Sequence, residues 1–92
     1  MSTKSGIADP LSFVPEMPRE SVRRAIALRF SGTGIERPYA DARILLCAAL
    51  GIDHAELIRD PNCPIGQRAP TLESFVARRL KGEPVYRIIG ER

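Results

Sequence analysis

Residues 44–50 read Ile-Leu-Leu-Cys-Ala-Ala-Leu, apolar on every face of a helix. A helix with no polar face has to be covered on all sides. Residues 38–51 therefore predict a central helix about which the remaining chain wraps. Pro38 suits its first turn, where a missing N–H costs nothing, and Asp41 sets a negative charge near the positive end of the helix dipole. Gly51 supplies the stop by adopting the left-handed conformation, with Ile52 folding back onto the last turn as in a Schellman closure.

A chain of 92 residues makes one small domain, able to bury about 60–65% of the surface that its unfolded chain exposes. With 43% hydrophobic and 27% charged residues it belongs among globular proteins. Its longest apolar run falls far short of the roughly 20 residues that span a bilayer, and the N-terminus has no hydrophobic segment like that of a secretory signal. These features predict a cytoplasmic protein without a membrane partner. Cys47 and Cys63 have no metal-ligand spacing and no secretory context, so both are expected to be free thiols, and no metal site is expected.

Residues 1–17, rich in Pro, Ser, Thr and Gly, read as a mobile tail, although its one apolar island at Leu11, Phe13 and Val14 offers a surface that could dock on the core. Pro18 opens a first amphipathic helix in which Val22, Ala25, Ile26 and Phe30 form the apolar stripe. Arg19, Arg23, Arg24 and Arg29 fall mostly on other faces and read as a solvated surface, since no aromatic or glycine-rich element interleaves them. The run Ser31-Gly32-Thr33-Gly34 is a helix-ending linker. It resembles a phosphate loop only in composition, because no strand precedes it and no Gly-Lys-Ser/Thr follows.

Asp53 can cap a third helix, with Glu56 reciprocating and Ile52 stapled to Leu57. Pro61 keeps that helix short. His54 is the only histidine, and no nucleophile or carboxylate stands with it to make a catalytic pair. A turn-rich connection over residues 60–66 leads to a fourth helix from about Pro70 to Leu80, with a possible earlier turn over residues 67–69. Its stripe is Leu72, Phe75, Val76 and Leu80, and Arg78, Arg79 and Lys81 favour the negative end of its dipole. Residues 84–90, Pro-Val-Tyr-Arg-Ile-Ile-Gly, carry the β-branched and aromatic composition of a strand. A lone strand has no partner unless more chain follows or another copy supplies an edge.

Several of these residues carry a family resemblance. Asp41-Ala42-Arg43-Ile44-Leu45-Leu46, then Leu50-Gly51-Ile52 leading to Glu56-Leu57, then Arg78-Arg79-Leu80-Lys81-Gly82-Glu83-Pro84-Val85 and Ile88-Ile89-Gly90-Glu91-Arg92 occur in order. Together they resemble the N-terminal region of the HemK/PrmC family, protein-(glutamine-N5) methyltransferases that modify a glutamine of peptide chain release factors. The match spans about residues 19–92. Arg87 departs from it, standing near where many relatives have a tyrosine.

The resemblance implies an all-α bundle of four to five helices over residues 18–82 that helps engage the release factor. It also implies that residues 83–92 begin a β-hairpin leading to a catalytic domain absent from this chain. The family's catalytic Asn-Pro-Pro-Tyr motif is missing, since the only asparagine, Asn62, precedes Cys63 and Pro64. No catalytic residue is expected in this segment, and its parent enzyme, not the segment, is expected to bind S-adenosylmethionine. Charge and expected exposure single out Arg19, Arg23 and Arg24 on the first helix, and Arg78, Arg79 and Arg87 near the junction, as partner-binding candidates.

Two other classes fit parts of the chain. A net charge of +3 and two short helices meeting at a glycine suggest a helix-turn-helix DNA binder. Residues 54–60 oppose it, with two acids and one Arg59 where a recognition helix needs groups that approach phosphate and bases. The chain could instead be a self-contained interaction module, its last strand pairing with that of a second copy.

Overall fold

Local signals set the ends of the central helix. The computed structural model describes residues 11–90, and within them α2 (Pro38–Leu50) begins on Pro38 with Asp41 in its first turn. It ends at Gly51, whose φ of 73° is left-handed. The Ile52 N–H donates to the Cys47 carbonyl at 3.0 Å, the six-to-one bond of a Schellman closure. Coverage is less complete than an all-apolar helix predicts. Ala42, Leu45, Leu46 and Ala49 are buried, Ile44 and Cys47 are half-buried, and Ala48 is exposed. So few helices cannot close a shell around α2, and a methyl group is the side chain whose exposure costs least.

The principal cover is α1 (Arg19–Gly32), which makes the most extensive helix contact with α2. Val22, Ile26 and Phe30 are buried as the spacing predicts, joined by Ala27, while Ala25 is half-buried. At the far end the Phe30 carbonyl accepts from the Thr33 N–H at 3.1 Å and the Thr33 hydroxyl at 2.9 Å, which closes the helix.

The opening turn of α1 has no side-chain cap, because Pro18 occupies the cap position. Its exposed donors are met from a distance along the chain: Arg19 N–H reaches the Cys63 carbonyl and Glu20 N–H the Pro61 carbonyl, each at 2.9 Å. In return the Ile65 N–H donates to Met17 at 2.9 Å and the Gly66 N–H to Pro15 at 2.8 Å. Residues 15–20 and 61–66 thus form a backbone clasp, with an isolated antiparallel bridge between Pro18 and Pro64.

The expectation of a free tail is corrected for the part that is described. Phe13 is buried, Leu11 and Met17 pack against the core, and the Phe13 N–H donates to Glu73 Oε2 at 2.6 Å. The clasp holds this island against the bundle, so its apolar side chains can leave water. Residues 1–10 of the expected tail lie outside the described residues.

Helix α3 (His54–Arg59) starts where Asp53 Oδ1 accepts the Glu56 N–H at 2.8 Å. The Glu56 carboxylate turns to Arg19, at 3.3 Å, so the reciprocal half of the predicted capping box is given over to a tertiary contact. A 3₁₀ turn (Gly66–Arg68) then runs into α4 (Ala69–Leu80), which buries Leu72 and Val76 against α2.

The predicted strand is a helix, α5 (Val85–Gly90), and among the described residues there is no named strand. Backbone groups satisfied within one segment need no edge, and the Arg87 and Ile88 N–H groups both donate to the Pro84 carbonyl, at 3.1 and 3.2 Å. The turn also places Ile88 in the core, against α2 and α4, at 1% exposure. Burial of Ile88 and local pairing outweigh the β propensity of residues 85–89, a preference that depends on having a pleated partner.

Candidate functional site

Where the opening turns of α1 and α2 meet α3, the surface is concave. This cleft encloses about 330 Å³ and is lined by Glu20 and Arg23 from α1, Tyr39 and Arg43 from α2, His54, Leu57 and Ile58 from α3, and Pro61. Leu57 fills its floor. Ile58, the next residue on the same short helix, also lines the cleft and is 67% exposed. Tyr39 sits one residue inside α2, off the buried stripe, and is 57% exposed.

The guanidinium of Arg23 grips Glu20 with two hydrogen bonds, at 2.9 and 2.5 Å, and Arg24 reaches the same carboxylate at 3.5 Å. The hydrogen bonds from Arg23 hold the Glu20 carboxyl below its usual range. Arg43 has no acidic partner among the described residues, and His54 lies exposed beside it on the cleft wall.

Of the partner-binding candidates, Arg19 is not on the surface. It is 8% exposed, pairs with Glu56 and donates to the Asp60 carbonyl at 3.4 Å, while its Nε has no hydrogen-bond partner among the described residues. Its place at the clasp, between α1 and α3, explains why helical spacing misplaces it. Arg79 is similarly internal in role, with its Nε 3.0 Å from Asp41 Oδ2 on α2. Arg78 clips Glu83 through two hydrogen bonds, one from Nε at 2.8 Å and one from Nη2, and closes the turn between α4 and α5. Arg24 is 68% exposed in its side chain and Arg87 is exposed on α5. Arg23 shares the cleft with Tyr39, Arg43 and Ile58, which are not among the candidates that charge and expected exposure single out. The available signal was an apolar residue off its helix stripe, which periodicity marks but cannot bring together with another.

Hydrogen bonds from Arg78 also hold the Glu83 carboxyl below its ordinary range. A carboxyl depressed on folding contributes stability above its unfolded pKa, and that contribution is lost as pH falls through the folded value. The melting temperature is therefore expected to decline from about pH 4.3 downward. Glu20→Gln should flatten part of that decline in a melting series across acid pH. Glu20 is about a third exposed (32%), so solvent screening limits its share to under ~1 kcal/mol. A variant that melts in parallel with the parent at every pH would contradict this assignment.

Burial pushes the Cys47 thiol up, against a smaller opposing effect of Arg43, which keeps it a neutral thiol near pH 7 and a poor nucleophile. Among the described residues, four glycines adopt left-handed backbone. Gly34, Gly51, Gly66 and Gly82 take positive φ in turns after or between helices, and none follows a strand to open the phosphate-type turn of a nucleotide fold. No helix among them is long and apolar enough to cross a membrane.

Residues 21–90 match the family model of the PrmC N-terminal domain. A release factor glutamine methyltransferase of Bradyrhizobium diazoefficiens is 42% identical over 74 residues, which cover 79% of this chain and 25% of that protein. Proteins of the same description from Rhodospirillum rubrum and Caulobacter vibrioides are 40% and 35% identical, covering 72% and 70% of this chain and 21% and 22% of theirs. The chain thus spans about a quarter or less of the length of these relatives. No solved structure gives a significant match to it. With a small all-α bundle over the matched residues, the chain belongs to the PrmC N-terminal domain family.

Proposed function

We propose that this chain is the recognition domain of an S-adenosylmethionine-dependent glutamine-N5 methyltransferase, and that it holds a peptide chain release factor in the bacterial cytoplasm while a separate catalytic domain modifies it. The observation that carries this reading is the family match over residues 21–90. The relatives named above are release factor glutamine methyltransferases, which supports a release factor as the substrate class.

Methyl transfer to an amide nitrogen needs the glutamine held in line with the donor methyl, and positioning can lower such a barrier by up to about 7–11 kcal/mol. A rigid bundle contributes by fixing a large protein substrate at a distance from the reacting atoms. The most accessible candidates for that contact are Arg24, 68% exposed and paired with Glu20 at 3.5 Å, and Arg87, while Arg23 and Arg78 are held more closely by their own carboxylates. Tyr86, 78% exposed beside Arg87, offers a surface for the catalytic domain itself.

The test is a titration of the isotopically labelled chain with the glutamine-bearing domain of a bacterial release factor, followed by backbone amide shifts. Saturable shifts on one face are expected. Arg24→Glu and Arg87→Glu should each weaken the complex by about 1.5- to 5-fold, the range of a single solvated ion pair. An absence of shifts at high concentration would remove substrate docking from this domain and leave it an orienting part of the enzyme.

A further inference from the structure

We propose that the cleft between α1, α2 and α3 is the central part of the docking surface, with Arg24 and Arg87 outside it, and that it receives a segment of the release factor presenting a carboxylate beside a large apolar side chain. This rests on the substrate-docking reading above and names the site and the chemistry of its occupant.

Isolated exposed apolar residues are ordinary on protein surfaces. Tyr39 and Ile58 are different in that two helices bring them to one concavity, where each remains more than half exposed. An aromatic ring and a branched aliphatic side chain lining one cleft suit a single inserted apolar group. The volume, about 330 Å³, lies at the small end of ligand pockets, and admits one or two side chains better than a nucleotide-sized cofactor.

Charge supplies the second half of the argument. Among the described residues the one carboxylate on the cleft wall, Glu20, is already taken by Arg23 and Arg24. Arg43 has no such partner among the described residues. The cleft therefore carries uncompensated positive charge next to its apolar walls, and a carboxylate is the group that complements it. An isologous pairing of two copies would instead bring like charges together, which disfavours self-association there.

The walls are also held in place before any partner arrives. Asp53 caps α3, Arg19 ties α3 to α1 through Glu56, and the Glu20 N–H is bound to Pro61 on the cleft rim. Such preorganisation limits the ordering cost of binding.

The experiment uses purified bacterial release factor as the probe, with binding to the wild-type chain measured by calorimetry and by amide shifts. Ile58→Asp and Arg43→Glu alter exposed or half-buried side chains, so melting curves should show both folded. Leu28→Asp, on an exposed part of α1 away from the cleft, is the control. Ile58→Asp is expected to weaken binding at least about tenfold and Arg43→Glu about fivefold or more. Leu28→Asp should leave it within twofold.

Wild-type binding with cleft variants that bind like the control would overturn the cleft while leaving substrate docking intact. No binding by the wild-type chain would remove the docking reading, and this site with it. Cleft shifts that grow with the chain's own concentration, without release factor, would assign the surface to a second copy and overturn the proposal as well.

Discussion

Phe30→Ala is expected to destabilise the domain by about 3–5 kcal/mol, the range for removing an aromatic ring from a packed interior. Phe30 is fully buried, 0% exposed, in the cluster that joins α1 to α2. Its loss removes transfer energy and leaves a cavity that α1 cannot collapse into, because both ends of that helix are fixed, by the clasp and by the Thr33 closure. A small domain has about 5–15 kcal/mol in total and this one belongs at the lower end, so the variant should be substantially unfolded when warmed. Urea denaturation followed by circular dichroism would read the change as a midpoint lowered by about 1.5–3 M. Phe30→Leu, which keeps most of the volume, should cost only about 1 kcal/mol. If Phe30→Ala lost no more than Phe30→Leu, the α1–α2 interface would not be the principal core.

Asp41→Ala is the second large effect, expected at about 1–3 kcal/mol. Asp41 and Arg79 are 14% and 20% exposed in their side chains and are joined at 3.0 Å across α2 and α4. Removing the carboxylate strands a cation in a mostly covered place, where a second contact to the Glu83 carbonyl, at 3.3 Å, is its remaining hydrogen bond among the described residues. Taking away both charges together is milder. The double variant with Arg79→Met should be more stable than the sum of the two single changes predicts, with a coupling of about 1–2 kcal/mol in a double-mutant cycle. Additive losses would mean that the pair is incidental. The result bears on the proposed docking, because a loss of binding in Arg79→Ala would report on the α2–α4 pairing and not on contact with a partner. The solvent-facing Arg87 has no such ambiguity.

Two features of the site were legible in part. Arg23 and Arg24 stand out as basic residues on α1, and Asp53 announces the start of α3 through its spacing to Glu56. Arg19, in the same basic run, gives no sign of its burial, because its partner Glu56 lies in another helix. Tyr39 and Ile58 are apolar residues out of phase with their neighbours, a pattern that is also common on surfaces with no role. Only the approach of α3 to the start of α2 makes a cleft of them.

What the chain determines locally is the set of helices and most of their limits. Pro38 and Gly51 bound α2, Asp53 opens α3, and the stripes through Val22, Ile26 and Phe30 and through Leu72 and Val76 fix which faces turn inward. These signals act within a few residues, so they can be read without knowing the fold. Three outcomes depended on contacts distant in sequence. The first turn of α1 finds its carbonyls in residues 61 and 63, Phe13 is held by Glu73, and Ile88 reaches the core only because residues 85–90 coil against α2 and α4. The physical reason is common to all three. A backbone donor, an apolar side chain or a β-rich segment states a need for a partner, and which partner meets it is set by packing.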